Sequence, residues 1–196
     1  MKNYKYLMFL LAMAVSMAAC QSAQKDSTEK ADSTNNKYDS LNNKETGTGD
    51  IAISGPDARF AVEAANGGMA EVELGKLAQE RAYNLKVKDF GAMMVKDHSM
   101  ANREMKELAK NKKITLPEAI DSEEQKLKAE LAGKSGVDFD KAYVEAMVKD
   151  HQEDIAAFEE ARKKVKYPEM TALIDKALPM LKMHLEAIEG IQKQLK

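Results

Sequence analysis

The sequence predicts an all-α protein whose folded part is a bundle of four long helices with one short extra helix. Apolar residues recur at helical spacing almost throughout the chain from Pro56 onward. No segment shows the strict alternation of apolar and polar residues that is typical of a half-buried strand. The pentapeptide Met-Val-Lys-Asp-His occurs twice, as Met94–His98 and as Met147–His151, which indicates two equivalent helices.

Helix boundaries follow from capping residues, glycines and prolines. The predicted helices cover about residues 57–81, 85–112, 122–132, 139–164 and 168–196. Asn84 is suited to cap the second helix, and Ser122 with Gln125 fits a capping box at the start of the short helix. Pro179 lies inside the last helix, where it removes a backbone donor and is expected to kink the helix or free a carbonyl.

The N-terminus predicts export and lipid attachment. Residues 1–19 have the basic start and short apolar stretch of a signal peptide, and the stretch is too short to span a membrane. Met17-Ala18-Ala19-Cys20 resembles a bacterial lipobox, with Met17 where Leu is usual, so Cys20 is the predicted lipidation site. Residues 20–55 are predicted to be a disordered tether, because their composition offers little apolar area to bury. Residues 56–196 form the predicted bundle.

Composition narrows the classes of function. Cys20 is the only cysteine, so a lipidated protein has neither a disulfide nor a free thiol. There are 32 acidic side chains against 30 Lys and Arg, and the formal net charge is −2. This balance argues against nucleic-acid binding, which needs a basic surface. The expected partner is the membrane, reached through the lipid on Cys20.

The repeat extends beyond the pentapeptide and predicts a duplicated helical hairpin. Phe90 aligns with Tyr143, and Glu107 aligns with Glu160. Such internal symmetry is typical of ferritin-like bundles, so the fold class predicted is a ferritin-like four-helix bundle.

Three histidines lie on the predicted inner faces of three different helices. They are His98, His151 and His184, and each follows a methionine by four residues, which places both side chains on one helix face. Imidazole and thioether groups suit copper or zinc. The metal-ligand candidates are His98, His151, His184, Met94, Met147, Met180, Asp154 and a carboxylate of the first helix, Glu71 or Glu73, with Glu73 included in the predicted set. The alternative is a buried network of histidines and carboxylates with methionine as core filler.

The same positions exclude a di-iron oxidase of the ferritin type. That chemistry needs a Glu three residues before each ligating histidine. Val95, Val148 and Leu181 stand there instead. Asp97 and Asp150 directly precede their histidines, so they are expected to face elsewhere, in solvent or paired across helices. No phosphate loop, Gly-x-Ser-x-Gly or HExxH motif is present, so no catalytic residue is predicted.

Several motifs together resemble the exported bacterial family known as domain of unknown function 4142. The matching segments are Ala70–Gly75, Met94–His98, Phe139–Tyr143, Met147–His151, and Leu178-Pro179 followed by His184-Leu185. The resemblance covers about residues 57–192 and implies a ferritin-like bundle in the cell envelope, with no established reaction. The repeats also resemble a second exported ferritin-like family linked to copper. That family usually has paired histidines where this chain has Asp150 and His151.

The function predicted is a lipid-anchored, non-enzymatic module of the cell envelope that binds a transition metal through its core histidines. Gln21 after Cys20 favours the outer membrane, because the Asp that marks inner-membrane retention in some bacteria is missing. The alternative is a structural or protein-interaction module whose histidines only form a buried polar network.

Overall fold

A computed structural model describes residues 26–45 and 55–195. The described residues form six helices: α1 (Ser27–Glu45), α2 (Gly55–Arg81), α3 (Leu85–Lys112), α4 (Ser122–Ala132), α5 (Gly136–Lys164) and α6 (Pro168–Gln194). Within these ranges there is no β-strand, and Ala82 and Gly136 form an isolated bridge. None of the described helices is long and apolar enough to cross a membrane. The predicted signal peptide, residues 1–19, and Cys20 lie outside the described residues.

The four long helices α2, α3, α5 and α6 form a bundle, as the sequence predicts. Helix α2 packs mainly on α3, and α5 packs mainly on α6, so the bundle consists of two helical hairpins. The short helix α4 lies in the connection between the hairpins and contacts α2 and α5. The prediction of a ferritin-like four-helix bundle with one short helix in the crossover is therefore confirmed.

Two apolar clusters fill the bundle at different levels along its axis. One contains Leu74, Phe90, Met94, Tyr143 and Met147 among its buried residues. The other is built around Phe60, Met105, Tyr167, Met170 and Ile174. On each long helix, the residues between the two clusters include a buried polar side chain, and these four side chains are Glu71, His98, His151 and His184. The bundle thus contains a polar layer between two apolar ones.

A buried carboxylate from each hairpin holds the loop of the other. Asp57 at the start of α2 accepts hydrogen bonds from the backbone N–H groups of Lys166 and Tyr167, between α5 and α6. Asp140 near the start of α5 accepts hydrogen bonds from the N–H groups of Tyr83 and Asn84, between α2 and α3. These bonds satisfy backbone donors that a helix end leaves without partners. They also set the level at which one hairpin lies against the other.

Most helix ends agree with the prediction, and two differ. The Asn84 side chain accepts a hydrogen bond from the N–H of Lys86 and caps α3 as predicted. The cap of α4 is Asp121 rather than Ser122, because the Asp121 carboxylate accepts from the N–H groups of Glu123 and Glu124. Helix α5 begins at Gly136, earlier than predicted, and α6 continues through Pro179 as one helix.

The prediction of a disordered tether is wrong for Ser27–Glu45, which forms α1 and packs on α2. The Asn35 side chain pairs with the backbone of Thr115, donating to its carbonyl and accepting from its N–H at 3.0 and 2.8 Å. The Ser27 hydroxyl accepts from the N–H of Glu118, and Ala31 is buried. The polar composition of this segment did not predict a helix, because its polar side chains form hydrogen bonds with the backbone of the irregular segment after α3.

Helices α2 and α3 cross closely at two glycines. A Cβ atom on Gly75 would lie 2.7 Å from the carbonyl oxygen of Gly91, and a Cβ on Gly91 would lie 2.7 Å from the carbonyl oxygen of Gly75. Either substitution therefore forces two backbones apart. Gly75 and Gly91 thus mark the place where the backbones of α2 and α3 approach closely.

We predict that Gly91→Ala destabilises the protein by about 1–3 kcal/mol, because overpacking outweighs the gain in helix propensity. Gly190→Ala is the matched control, since a Cβ at Gly190 meets nothing within 4 Å. This second change should stabilise the protein by about 0.5–1 kcal/mol. Urea unfolding of both variants measures the difference, and a stabilising Gly91→Ala would contradict the close crossing.

Candidate metal centre

The three histidines converge in the polar layer, as the sequence predicts. His98 on α3, His151 on α5 and His184 on α6 have relative exposures of 3%, 0% and 0%. Their ring centroids lie 5.3–6.0 Å apart. One nitrogen from each ring can be chosen so that all three lie within 4.8 Å of one another. Such a cluster is a candidate site for a metal ion.

The nitrogen of each ring that faces away from the cluster already has an oxygen partner. His98 Nδ1 lies 2.5 Å from Glu71 Oε2, and His184 Nε2 lies 3.2 Å from Asp97 Oδ2. His151 Nδ1 lies 3.0 Å from the carbonyl oxygen of Met147. A carbonyl can only accept, so His151 carries its proton on Nδ1 and its lone pair on Nε2. These partners fix how the three rings are turned.

Two of the three remaining nitrogens face each other. His98 Nε2 lies 3.3 Å from His184 Nδ1, and one of the two donates to the other when the site holds no ion. His151 Nε2 has no hydrogen-bond partner within the described residues and lies 3.5 Å from Glu71 Oε1. Two nitrogens at ~2.0–2.1 Å from one tetrahedral ion are roughly 3.4 Å apart. The separation of His98 and His184 therefore suits a shared ion.

Burial keeps the histidines neutral. It lowers the pKa of His98 to about 4, although the charges of Asp154 and Asp97 act in the opposite direction. Burial together with the neighbouring His98 and His184 lowers the pKa of His151 to about 3. Burial also lowers the pKa of His184. Neutral imidazole is the form that binds metal ions, so these rings need not lose charge before binding.

Burial has the opposite effect on the carboxyl group of Glu71. The side chain is 2% exposed, and burial, with the nearby charges of Asp154 and Glu124, raises its pKa well above the ordinary value. A protonated Glu71 can donate to His98 Nδ1, which lets His98 Nε2 donate to His184 and His184 Nε2 donate to Asp97. Hydrogen bonds thus connect Glu71 on α2 with Asp97 on α3 through two histidines.

The carboxylate that α2 brings to the centre is Glu71, and the prediction of Glu73 is wrong. Glu73 forms an ion pair with Lys128 on α4 at 2.6 Å, and its side chain is 37% exposed. Helical spacing favoured Glu71, because it lies three residues after Gly68 and four before Gly75, on the face that meets α3.

The methionine and aspartate candidates divide into two groups. Met94 and Met147 are fully buried in the apolar cluster with Leu74 and Phe90, where they act as core residues. Met180 and Asp154 line a cavity of about 30 Å³ together with Glu71 and His98. A cavity of this size holds about one water molecule. Met180 and Asp154 are therefore the candidates that share this cavity with His98.

The two aspartates of the repeated pentapeptide have different surroundings. Asp97 pairs across helices with His184, as one of the two predicted outcomes. Asp150 lies 3.8 Å from His151 Nδ1 through its Oδ2 atom, which is buried without a hydrogen-bond partner in the described part of the chain. Burial and the surrounding carboxylates raise the pKa of Asp150 well above its ordinary value. The sequence showed no sign of this difference, since the two pentapeptides are identical.

Comparison with known proteins identifies the family and the fold. A family described as "Domain of unknown function (DUF4142)" matches residues 42–191. The crystal structure of a DUF305 fragment from Deinococcus radiodurans matches with a TM-score of 0.65 and 14% identity, covering 72% of this chain and 97% of that chain. No curated protein matches the sequence.

Two structures of the protein CopM also share the fold. Its Ag-bound form matches with a TM-score of 0.59 and 18% identity, over 70% of this chain and 96% of that one. Its Cu(II)-bound form matches with a TM-score of 0.62 and 16% identity, over 71% of this chain and 97% of that one. At such low identity these likenesses show a common helical bundle.

We predict that the metal-free protein loses stability through His151 as the pH falls from about 6.5 to about 4. His151 has a pKa of about 3 in the folded protein and about 6.5 in the unfolded chain. The unfolded state therefore binds the extra proton in this window, and the free energy of unfolding falls by up to about 1.4 kcal/mol per pH unit. The variant His151→Leu should show a shallower fall in urea unfolding with chelator present.

Comparing the wild-type protein with His151→Leu separates the effect of His151 from that of the titratable groups that face it. These groups are Glu71 on α2, His98 on α3, Asp150 on α5 and His184 on α6. The raised pKa of Glu71 gives a stability contribution of opposite sign, but both proteins contain it. Equal slopes in the two proteins would contradict a neutral His151 in the folded state.

Proposed function

The chain belongs to the DUF4142 family, whose description names no function, and we propose that it is a non-enzymatic module of the cell envelope that binds one copper ion. The proposed ligands are the inner nitrogens of His98, His151 and His184. Met180 or a water molecule in the adjoining cavity is the proposed fourth ligand.

The observation that supports this proposal best is the orientation of all three rings. In metal centres, a ligating histidine typically donates its second N–H to a carboxylate or a backbone carbonyl. Each of the three rings has a group that can accept this proton, namely Glu71 in its ionised form, the Met147 carbonyl and Asp97. A network that served only to bury histidines would not need to leave the lone pair of His151 Nε2 without a partner.

The nature of the ligands favours copper over zinc. Imidazole suits both ions, whereas a thioether such as Met180 is a soft ligand that prefers Cu(I). No cysteine lies among the described residues around the histidines. Glu71 is the carboxyl group that contacts the rings of both His98 and His151. CopM, which shares the fold, has been solved with copper(II) and with silver bound.

Binding rather than catalysis is proposed because the centre has little room for a substrate. The three rings are almost completely buried, and the adjoining cavity of about 30 Å³ holds about one water molecule. An ion bound at His98 Nε2 would leave the proton of that ring on Nδ1, where Glu71 must then accept it. Glu71 can accept only after it has lost its own proton, so copper binding should weaken at low pH.

The proposed location is the cell envelope, with the protein held by a lipid on Cys20. The support comes from the sequence of residues 1–20, with an apolar stretch followed by Met17-Ala18-Ala19-Cys20. Gln21 favours the outer membrane over the inner one. The domain would then bind copper at the membrane surface.

A second candidate function is supported by the hydrogen bonds that connect Glu71, His98, His184 and Asp97. These bonds are complete without an ion, so the histidines can serve as a polar layer in a module whose role is to interact with another protein. In that case single His→Ala changes cost stability, on the order of 1–3 kcal/mol, and no copper binds.

We predict that the purified domain retains one equivalent of copper after desalting, measured by elemental analysis. The triple His→Ala variant at positions 98, 151 and 184 should retain none. Glu71→Gln should weaken binding about 10–100-fold, because Glu71 orients His98. Glu73→Gln is the matched control and should bind normally, since Glu73 pairs with Lys128. Full copper binding by the triple variant would rule out the proposed ligands.

We also predict that the full-length protein fractionates with membranes and that Cys20→Ala releases it. Ser16→Ala, four residues earlier, should leave the protein membrane-bound. The measurement is the distribution between membrane and soluble fractions, with incorporation of labelled palmitate as a direct test of acylation. Membrane association of Cys20→Ala without acylation would overturn the anchor and leave the copper site unaffected.

A further inference from the structure

Four buried polar atoms in the described part of the chain have no hydrogen-bond partner, and three of them belong to His151 and to two residues beside it. The four atoms are Glu71 Oε1, Tyr143 Oη, Asp150 Oδ2 and His151 Nε2. Buried polar atoms are normally hydrogen-bonded, and those without a partner call for a missing water molecule or ion. The unpartnered atoms of Glu71, Asp150 and His151 lie together between α2 and α5, which points to a missing binding partner.

The three residues Glu71, Asp150 and His151 are close enough to share one partner. His151 Nε2 lies 3.5 Å from Glu71 Oε1, and Asp150 Oδ2 lies 3.8 Å from His151 Nδ1. One possible ligand atom from each of Glu71, Asp150 and His151 can be chosen so that all three lie within 4.8 Å of one another. Tyr143 is fully buried two turns before His151 on the same helix.

The electrostatic surroundings show which sign of charge is missing. The charges that act on Asp150 come from four other carboxyl groups, those of Glu71, Asp154, Glu124 and Glu153. Neither Glu71 nor Asp150 forms an ion pair with a described lysine or arginine. Buried carboxylates are costly unless a positive charge compensates for them. A partner that lets both groups ionise must therefore be a cation.

The internal repeat supports the same conclusion. Asp97 and Asp150 occupy the same position in the two pentapeptides, and Asp97 has a partner in His184. Asp150 has no equivalent partner, although its Oδ2 atom is buried. The second copy of the pentapeptide thus presents an unused carboxylate oxygen 3.8 Å from Nδ1 of a histidine whose Nε2 is also unused.

We propose a second cation position, formed by Glu71 Oε1, Asp150 Oδ2 and His151 Nε2, that takes a divalent ion such as Mn²⁺. Two carboxylates and one imidazole form a harder ligand set than three imidazoles, and carboxylate oxygens suit Mn²⁺. This inference rests on the proposed function in one respect, since His151 belongs to both positions.

His151 makes the two positions compete for ions. Its Nδ1 donates to the Met147 carbonyl, so Nε2 is the one lone pair that the ring can offer. A soft ion held by His98, His151 and His184 therefore deprives the second position of its nitrogen ligand. Copper or silver should release Mn²⁺ from the protein.

The experiment is a titration of the metal-free domain with Mn²⁺, in which the electron paramagnetic resonance signal of free Mn²⁺ falls as the ion binds. The wild-type protein should bind one equivalent, and Asp150→Asn should weaken this binding at least tenfold. Asp97→Asn is the matched control from the other pentapeptide and should bind Mn²⁺ normally. Addition of Ag⁺ should restore the signal of free Mn²⁺.

Two variants separate this proposal from the copper centre. His184→Ala should lose copper and keep Mn²⁺, whereas Asp150→Asn should keep copper and lose Mn²⁺. Unchanged Mn²⁺ binding by Asp150→Asn, or none by a wild-type protein that binds copper, overturns the second position and leaves the proposed function intact. Mn²⁺ binding by a wild-type protein that binds no copper overturns only the proposed function.

Two further outcomes bear on the proposal. Mn²⁺ that stays bound when Ag⁺ is saturating overturns the sharing of His151. Circular dichroism melting checks that Asp150→Asn folds, and Glu71→Gln, which keeps the size of the side chain, provides a second variant with weakened Mn²⁺ binding. Mn²⁺ binding that is the same in both variants as in wild type rejects the site.

Discussion

The structure depends on burying three imidazoles and one carboxyl group in a single layer between two apolar clusters. Each of these groups needs a partner in a dry interior, because an unpaired buried polar atom costs free energy. Glu71, Asp97 and the Met147 carbonyl satisfy the outer nitrogens. The inner nitrogens of His98 and His184 pair with each other, and that of His151 has no partner. These three nitrogens are therefore the ones that can bind an ion.

The helices must lie at defined heights and distances for this layer to form. On α2, Gly68 and Gly75 lie one turn to either side of Glu71, and a Cβ at these positions would meet Asn102 and Gly91 of α3. The two glycines let the helices approach until Glu71 reaches His98 at 2.5 Å. Asp57 and Asp140 hold the loops of the opposite hairpins and set the axial level. Backbone contacts remote from the histidines thus control the geometry of the centre.

Duplication produced a bundle with two copies of one motif, and the fold gave the copies different roles. His98 is held by Glu71 of the adjacent helix, whereas His151 is held by the backbone of its own helix. Asp97 pairs with His184, while Asp150 faces Glu71 and other carboxylates. A copper ion at the three histidines and a harder cation beside Asp150 would use this difference, since a single residue, His151, belongs to both positions.

The sequence by itself determined the helices, the four-helix bundle and the inward direction of the histidines, because periodicity and caps act over one or two turns. Tertiary structure decided the choice of Glu71 over Glu73, the surroundings of Asp150 and the separation of Met180 from Met94, since each depends on which helix lies opposite. The folding of residues 27–45 into α1 also depends on tertiary structure, because Asn35 pairs with Thr115, 80 residues away in the chain. Local spacing places a side chain on a face, but only packing determines what that face meets.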